Sequence, residues 1–242
     1  MIRPAVMGML LLAGLCAETS RAADLSPVYR SFEADYLLTR NGIGVGQTRI
    51  RFELAADGSY SHQVDTGPNA FLSLLREDLI LERSRGRLER GRPRPLNYLY
   101  RRSGGSIERE LTLEFDWGAG RVRMQSGPSG WSMALPPDTL DKLVQQQVLS
   151  AELAAGAQAA QFQVADGGLL KTYRYQVLNG ESVEVPLGRF DTLKVERRKG
   201  DKVSDYTLWM APALGWQPVR ILRRYRGVSY RMELERLEFV EP

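Results

Sequence analysis

The sequence has one cysteine and one histidine in 242 residues, and each shortage excludes chemistry. Cys16 falls inside an N-terminal stretch that reads as cleavable. Removing residues 1–22 leaves 220 residues with 31 basic and 28 acidic side chains, a formal charge of +3, and no cysteine. A thiol nucleophile, a disulfide, an iron–sulfur cluster and a cysteine-based zinc site are then excluded. A lone histidine, His62, cannot build a two-His or three-His metal site within one chain. A Ser-His-Asp triad could use only His62. The remaining options are carboxylate, Lys, Tyr or Arg chemistry, or none. No catalytic, cofactor-binding or metal-ligating residue is expected.

Long apolar runs are missing too. Ala5 to Leu15 is the longest, and as a helix it spans ~16 Å, about half of a bilayer core. Arg3 precedes it, and Ser20 and Ala22 place small residues at −3 and −1 of a cleavage after Ala22. That is the layout of a secretory signal peptide over 1–22, leaving 23–242 as a single all-β domain in the periplasm. No transmembrane segment is expected in the mature chain. The alternative is a lipid anchor on Cys16, although the Leu15 before it is bulkier than a lipobox favours. A thiol-free exported chain suits an oxidising compartment.

What the sequence does have is alternation. Phe32, Ala34, Tyr36 and Leu38 share one face of a strand, and Asn41-Gly42 supplies a hairpin turn into a second. Further strands are expected at Tyr60–Asp65, Asp78–Arg83, Pro95–Tyr100 and Ile107–Phe115, and around Val122 and Met124. More follow near Gln161–Val164, Lys171–Leu178, Phe190–Arg198, Ser204–Met210, Val219–Arg224 and Val228–Val240. In the last, Leu237 and Phe239 are out of phase with Val228, Tyr230, Met232 and Leu234, which calls for a bulge near Glu235-Arg236. Within an alternating strand, His62 reads as a surface histidine.

One segment departs from the pattern. Leu140, Leu143, Val144, Val148 and Leu153 recur at helical spacing after Pro136-Pro137. This predicts one amphipathic helix over about 138–155, with Asp138 as N-cap and a polar face of Lys142, Gln145, Gln146 and Glu152. The fold class is therefore mainly β: a large curved antiparallel sheet or open β-barrel, its halves (roughly 24–135 and 157–242) continuous, with the helix at its mouth or concave side.

Several stretches point to a family. They are Phe32-Glu33-Ala34-Asp35-Tyr36, Gly42-Ile43-Gly44-Val45-Gly46, Pro95-Leu96-Asn97-Tyr98, Phe115-Asp116-Trp117 and Pro136-Pro137-Asp138-Thr139-Leu140-Asp141. Further on come Tyr173-Arg174-Tyr175, Val185-Pro186-Leu187-Gly188-Arg189-Phe190-Asp191-Thr192-Leu193, Leu208-Trp209-Met210-Ala211-Pro212 and Pro218-Val219-Arg220-Ile221. In this order they resemble domain-of-unknown-function family 3108 of bacterial exported proteins. The resemblance implies an exported, mostly β protein and carries over no catalytic residue.

Charge is uneven. Arg83, Arg85, Arg87, Arg90, Arg92, Arg94, Arg101 and Arg102 crowd one stretch. A second run holds Arg220, Arg223, Arg224, Arg226 and Arg231. Arginine makes bidentate contacts with phosphate and carboxylate, so Arg85, Arg87, Arg92, Arg94, Arg101 and Arg102 are the anion-contact candidates. The solvated face of a sheet is the plainer reading of the same residues. Nucleic acid is not an expected partner, because no recognition motif is present. Of the carboxylates, Asp138 and Asp141 suit a helix N-terminus, and Glu108, Glu110 and Glu114 the polar side of a strand.

Curved sheets of this kind hold apolar ligands. By fold analogy alone, periplasmic lipoprotein carriers also use a curved sheet closed by helices. The expected function is non-enzymatic binding or carriage of a lipid, glycolipid or other apolar ligand in the cell envelope, without a cofactor. The alternative is a scaffold that engages an envelope polymer or protein through a sheet edge or an arginine face. A carboxylate-dependent hydrolase comes last.

Overall fold

The structure, a computed structural model, describes residues 29–68, 79–105, 108–198 and 205–240. The signal-peptide segment, Cys16, Asp78, Ile107 and Ser204 lie outside the described residues.

The strands of the first half are β1 (Phe32–Arg40), β2 (Ile43–Leu54), β3 (Ser59–Gly67), β4 (Leu79–Glu89), β5 (Arg92–Ser103), β6 (Arg109–Asp116), β7 (Arg121–Ser126) and β8 (Ser129–Ala134). A two-residue strand, β9 (Leu140–Asp141), leads into the helix α1 (Val144–Ala154). Then come β10 (Ala159–Asp166), β11 (Leu169–Val185), β12 (Gly188–Arg198), β13 (Tyr206–Ala211), β14 (Gln217–Tyr225) and β15 (Val228–Phe239). Among the described residues all fifteen strands form one sheet, in the order β8-β7-β6-β5-β4-β3-β2-β1-β15-β14-β13-β12-β11-β10-β9. Two meanders thus meet where the first strand pairs with the last. Every pairing is antiparallel except β9 with β10.

Local chemistry explains the turns and bends. Asn41 and Gly42 both have positive φ, 48° and 82°, as a two-residue type I′ hairpin requires. In β15 the register jumps between Arg236↔Asp35 and Leu234↔Tyr36, leaving Glu235 as the extra residue. This is the bulge that the phase change demands. Similar shifts interrupt β1–β2, β4–β5, β11–β12 and β13–β14. Each adds bend and twist, and the sheet curls on itself without closing.

Side chains mark the seam of that curl. Trp131 on edge strand β8 donates its indole N–H to the Gly168 carbonyl between β10 and β11, at 3.1 Å. Gly168 has φ +82°, and a Cβ there would run into Met124 and Trp131. Leu143 and Ala165 join Tyr98, Leu111, Leu113, Phe115, Val122 and Met124 in one buried cluster, so β5–β7 pack across the seam on β10.

The helix lies where expected but starts at Val144 rather than 138. Asp138 is not its cap: it sits in a turn at φ +57°. Asp141 does that work, its Oδ1 accepting the N–H groups of Leu143 and Val144 at 2.8 and 2.9 Å. The expected one-sided burial also fails. The concave sheet wraps α1, so Gln145, Gln147 and Ser150 are buried along with Val144, Val148, Leu149, Ala151 and Leu153.

Candidate functional site

The inner face of the curl is built in rows, because residues directly opposite in register share a face. The deepest row on the β1–β5 side runs Phe32, Phe52, His62, Ser84, Tyr98. Phe32 stacks on Phe52, and His62 meets Phe52 edge-on at 5.6 Å. The next row is Ala34, Ile50, Val64, Glu82, Tyr100, and then comes Tyr36, Thr48, Thr66, Ile80, Arg102. On the other side of β1 a row of Leu38, Met232, Ile221 and Leu208 precedes one of Arg40, Tyr230, Arg223 and Tyr206.

These rows and the N-terminal turn of α1 enclose a cavity of about 570 Å³. Phe32, Val64, Ile80, Ile221 and Met232 give its apolar wall, and Thr48, Thr66, Gln145, Gln146 and Gln217 its polar points. A volume of several hundred Å³, mostly apolar with a few polar groups, is the usual form of a small-molecule site.

His62 lines this cavity, which corrects its expected surface position. It is 3% exposed, and its Nδ1 has no hydrogen-bond partner among the described residues. Burial pushes its pKa down to about 4, so the ring is neutral at pH 7. Gln146 Oε1 is likewise buried and has no partner among the described residues. The physical reason is register: Tyr60, His62 and Val64 share a face, and that face turns inward. The alternation itself carried this signal.

A polar layer anchors the helix beside the cavity. Lys142 Nζ pairs with Glu82 at 2.7 Å, and the Tyr98 hydroxyl donates to the same carboxylate. Ser84 Oγ donates to Asp141 Oδ2, and Tyr175 donates to Gln145 Oε1 at 2.9 Å. Burial raises the Asp141 pKa to about 6, against the lowering pull of Ser84 and the Val144 and Leu143 amides. Both Asp141 oxygens are therefore occupied in holding α1. Of the other candidate carboxylates, Glu110 pairs with Arg101. Among the described residues no group of His, Cys, Asp and Glu could hold a metal ion.

The six arginine candidates do not form one site. Arg85, Arg87 and Arg94 alternate with buried residues, Arg101 stands exposed between half-buried ones, and all four point outwards. Arg87 donates to the Asp57 carbonyl at 3.3 Å, Arg94 pairs with Glu89 and lies over Trp117, and Arg101 pairs with Glu110 at 2.7 Å. Arg92, at the start of β5, reaches Glu152 of α1 at 3.0 Å. Arg102 lines the cavity. So does Arg223 of the second basic run, together with Arg40, which belongs to neither. Trp117, in the turn after β6, and Trp209, in β13, donate their indole N–H groups to the Pro95 carbonyl and to Glu181.

The fold and cavity define a class: a curled, barrel-like, mostly antiparallel sheet wrapped around helix α1 with a mixed apolar and polar interior. The chain belongs to the family described as "Protein of unknown function (DUF3108)", which it matches over residues 31–235. No curated protein matches it. Among solved structures it is similar to a β-barrel-like protein of domain of unknown function DUF1849 from Brucella abortus. The TM-score is 0.57 at 11% identity, over 88% of this chain and 99% of that one. That likeness shows the barrel-like fold. A candidate lipoprotein of Parabacteroides distasonis matches with a TM-score of 0.36 at 8% identity, over 86% and 95% of the two chains. A candidate exported protein with a YmcC-like fold from Bacteroides fragilis matches at 0.33 and 11% identity, over 86% and 94%.

Proposed function

We propose that this protein is a non-enzymatic binding or carrier protein of the cell envelope that takes a lipid, glycolipid or other apolar ligand into the cavity between α1 and the concave sheet. The observation that carries the reading is the cavity itself, about 570 Å³ and walled by inward strand residues. A pocket of this size that meets water at one end and is mostly apolar within has the usual form of a small-molecule site. The signal-like segment over 1–22 supports export to the periplasm. Among the described residues no helix is long and apolar enough to cross a membrane. A scaffold acting through the outer arginines has less support, because Arg94 and Arg101 are already paired with glutamates. A hydrolase has less still, since Asp141 is spent on the helix N-terminus.

The test uses N-phenyl-1-naphthylamine, an uncharged apolar fluorophore. The protein is expected to bind it with a blue-shifted, enhanced emission. Ile221→Trp, which fills the cavity from β14, is expected to abolish that signal while keeping a cooperative thermal transition. Absence of binding by the unsubstituted protein, or equal binding by a folded Ile221→Trp, contradicts the reading.

A further inference from the structure

Resting on that reading, we infer that the ligand is an anionic amphiphile: its carboxylate or phosphate lies between Arg40 and Arg223, and its tail runs inward toward Phe32 and His62. Charge along the cavity is graded. Its described lining residues include four cations, Arg40, Arg102, Lys142 and Arg223, against one carboxylate, Glu82. Lys142 is neutralised by that carboxylate at 2.7 Å. Arg40 and Arg223 form no ion pair with a described residue; the described contact of Arg223 is the Tyr225 ring.

Register sets these two arginines around one spot. Tyr230 on β15 stands opposite Arg40 on β1 and also opposite Arg223 on β14. Arg40 and Arg223 are thus two strand spacings apart, about 9.5 Å at the backbone. Their long side chains can close on one anion above Tyr230 with bidentate, charge-assisted hydrogen bonds. Arg40 and Arg223 are exposed, and Tyr225 beside them is 49% exposed, so this end of the cavity meets water.

At the other end the row Phe32, Phe52, His62, Ser84 and Tyr98 carries no cation. Phe32 and Phe52 are at most 2% exposed there, and the neighbouring imidazole is neutral. Between the ends lie Leu38, Ile50, Val64, Ile221 and Met232. A permanently charged head is stable only at the arginine end, since burying an unpaired charge is strongly unfavourable. His62 Nδ1 and Gln146 Oε1, neither with a partner among the described residues, are polar atoms that neutral groups on the tail can meet. Positive groups at the watery end and a neutral apolar interior therefore orient the guest as well as select it.

Isothermal titration with laurate, dodecyl phosphate, 1-dodecanol and inorganic phosphate tests this. Laurate or dodecyl phosphate, whichever head the site takes, is expected to bind about tenfold or more tightly than 1-dodecanol, the scale of a modest charge-assisted contact. Arg40→Gln with Arg223→Gln is expected to bring the acids to the affinity of 1-dodecanol and to leave 1-dodecanol unchanged. These side chains are exposed and form no ion pair with a described residue, so folding should survive. Equal binding of acid and alcohol by the unsubstituted protein overturns the inference and leaves the apolar site standing. So does a full acid preference in the double variant. Inorganic phosphate binding as tightly as dodecyl phosphate overturns it in favour of a free-anion site. Failure of every chain-bearing probe overturns the binding function itself.

Discussion

Ser84 sits between two buried groups that titrate in opposite senses. It stands opposite His62 in register and donates its hydroxyl to Asp141. Burial lowers the His62 pKa from 6.5 to about 4. The unfolded chain then binds the proton more readily, so the stability due to His62 is full above 6.5 and is lost as pH falls toward 4. Burial raises the Asp141 pKa from 3.8 to about 6. Its contribution has the other sign: it is full below 3.8 and is lost as pH rises through 6. Between about pH 4 and 6 the two nearly cancel. Asp141→Asn keeps an oxygen for the helix amides and leaves His62 alone, so its stability should rise with pH more steeply than that of the unsubstituted protein. His62→Phe leaves Asp141 alone, so its stability should fall relative to the unsubstituted protein over the same interval. Urea denaturation at pH 4.5, 5.5 and 6.5 reads both slopes. Two variants with an unchanged slope would show that neither group titrates as its burial implies.

At the scale of the element, α1 is held by enclosure rather than by its own sequence. A helix of eleven residues is marginal alone, and this one has polar side chains on several faces. Leu149 is fully buried within the main core cluster. Leu149→Ala is expected to lower stability by about 3 kcal/mol in denaturant unfolding, within the usual range for a buried leucine. A loss under about 1 kcal/mol would mean that the helix is not packed as described. Most elements were legible in the sequence because half-buried strands alternate, and the Glu235 bulge followed from a single phase change in β15. Three features were not. The strand β8 is almost wholly exposed and so has no alternation to read. Asn179-Gly180 looks like a turn, yet β11 runs through it, with the register shift between Val177 and Asn179 absorbing the irregularity. The helix start was misplaced because Asp138 and Asp141 are equally good caps by composition, and only the packing of Leu140-Asp141 against β10 decides between them.

At the scale of the whole molecule, the cavity is a consequence of curl. It needs β1 beside β15, about two hundred residues apart in the chain, and it needs Arg40, Tyr230 and Arg223 in one row. No local pattern states such a register, which is why the six arginines singled out by their density lie mostly on the outer face. Arg40 had no charged neighbours to draw notice. The inward direction of His62 was in principle readable, but only once Tyr60 and Val64 are known to face the core. Net charge was uninformative for the same reason: it averages arginines of the outer face, such as Arg94 and Arg101, with those that line the cavity. The seam at Trp131 and Gly168 leaves the sheet curled rather than closed, and the space inside it is what the proposed function depends on.

Native mass spectrometry of the protein isolated from the cells that make it tests that claim most directly. The protein should carry a co-purified small molecule that collisional activation releases, and Ile221→Trp should yield only the bare chain. A natural protein that shows only its own mass, in gentle conditions and from several preparations, would contradict a ligand-holding cavity.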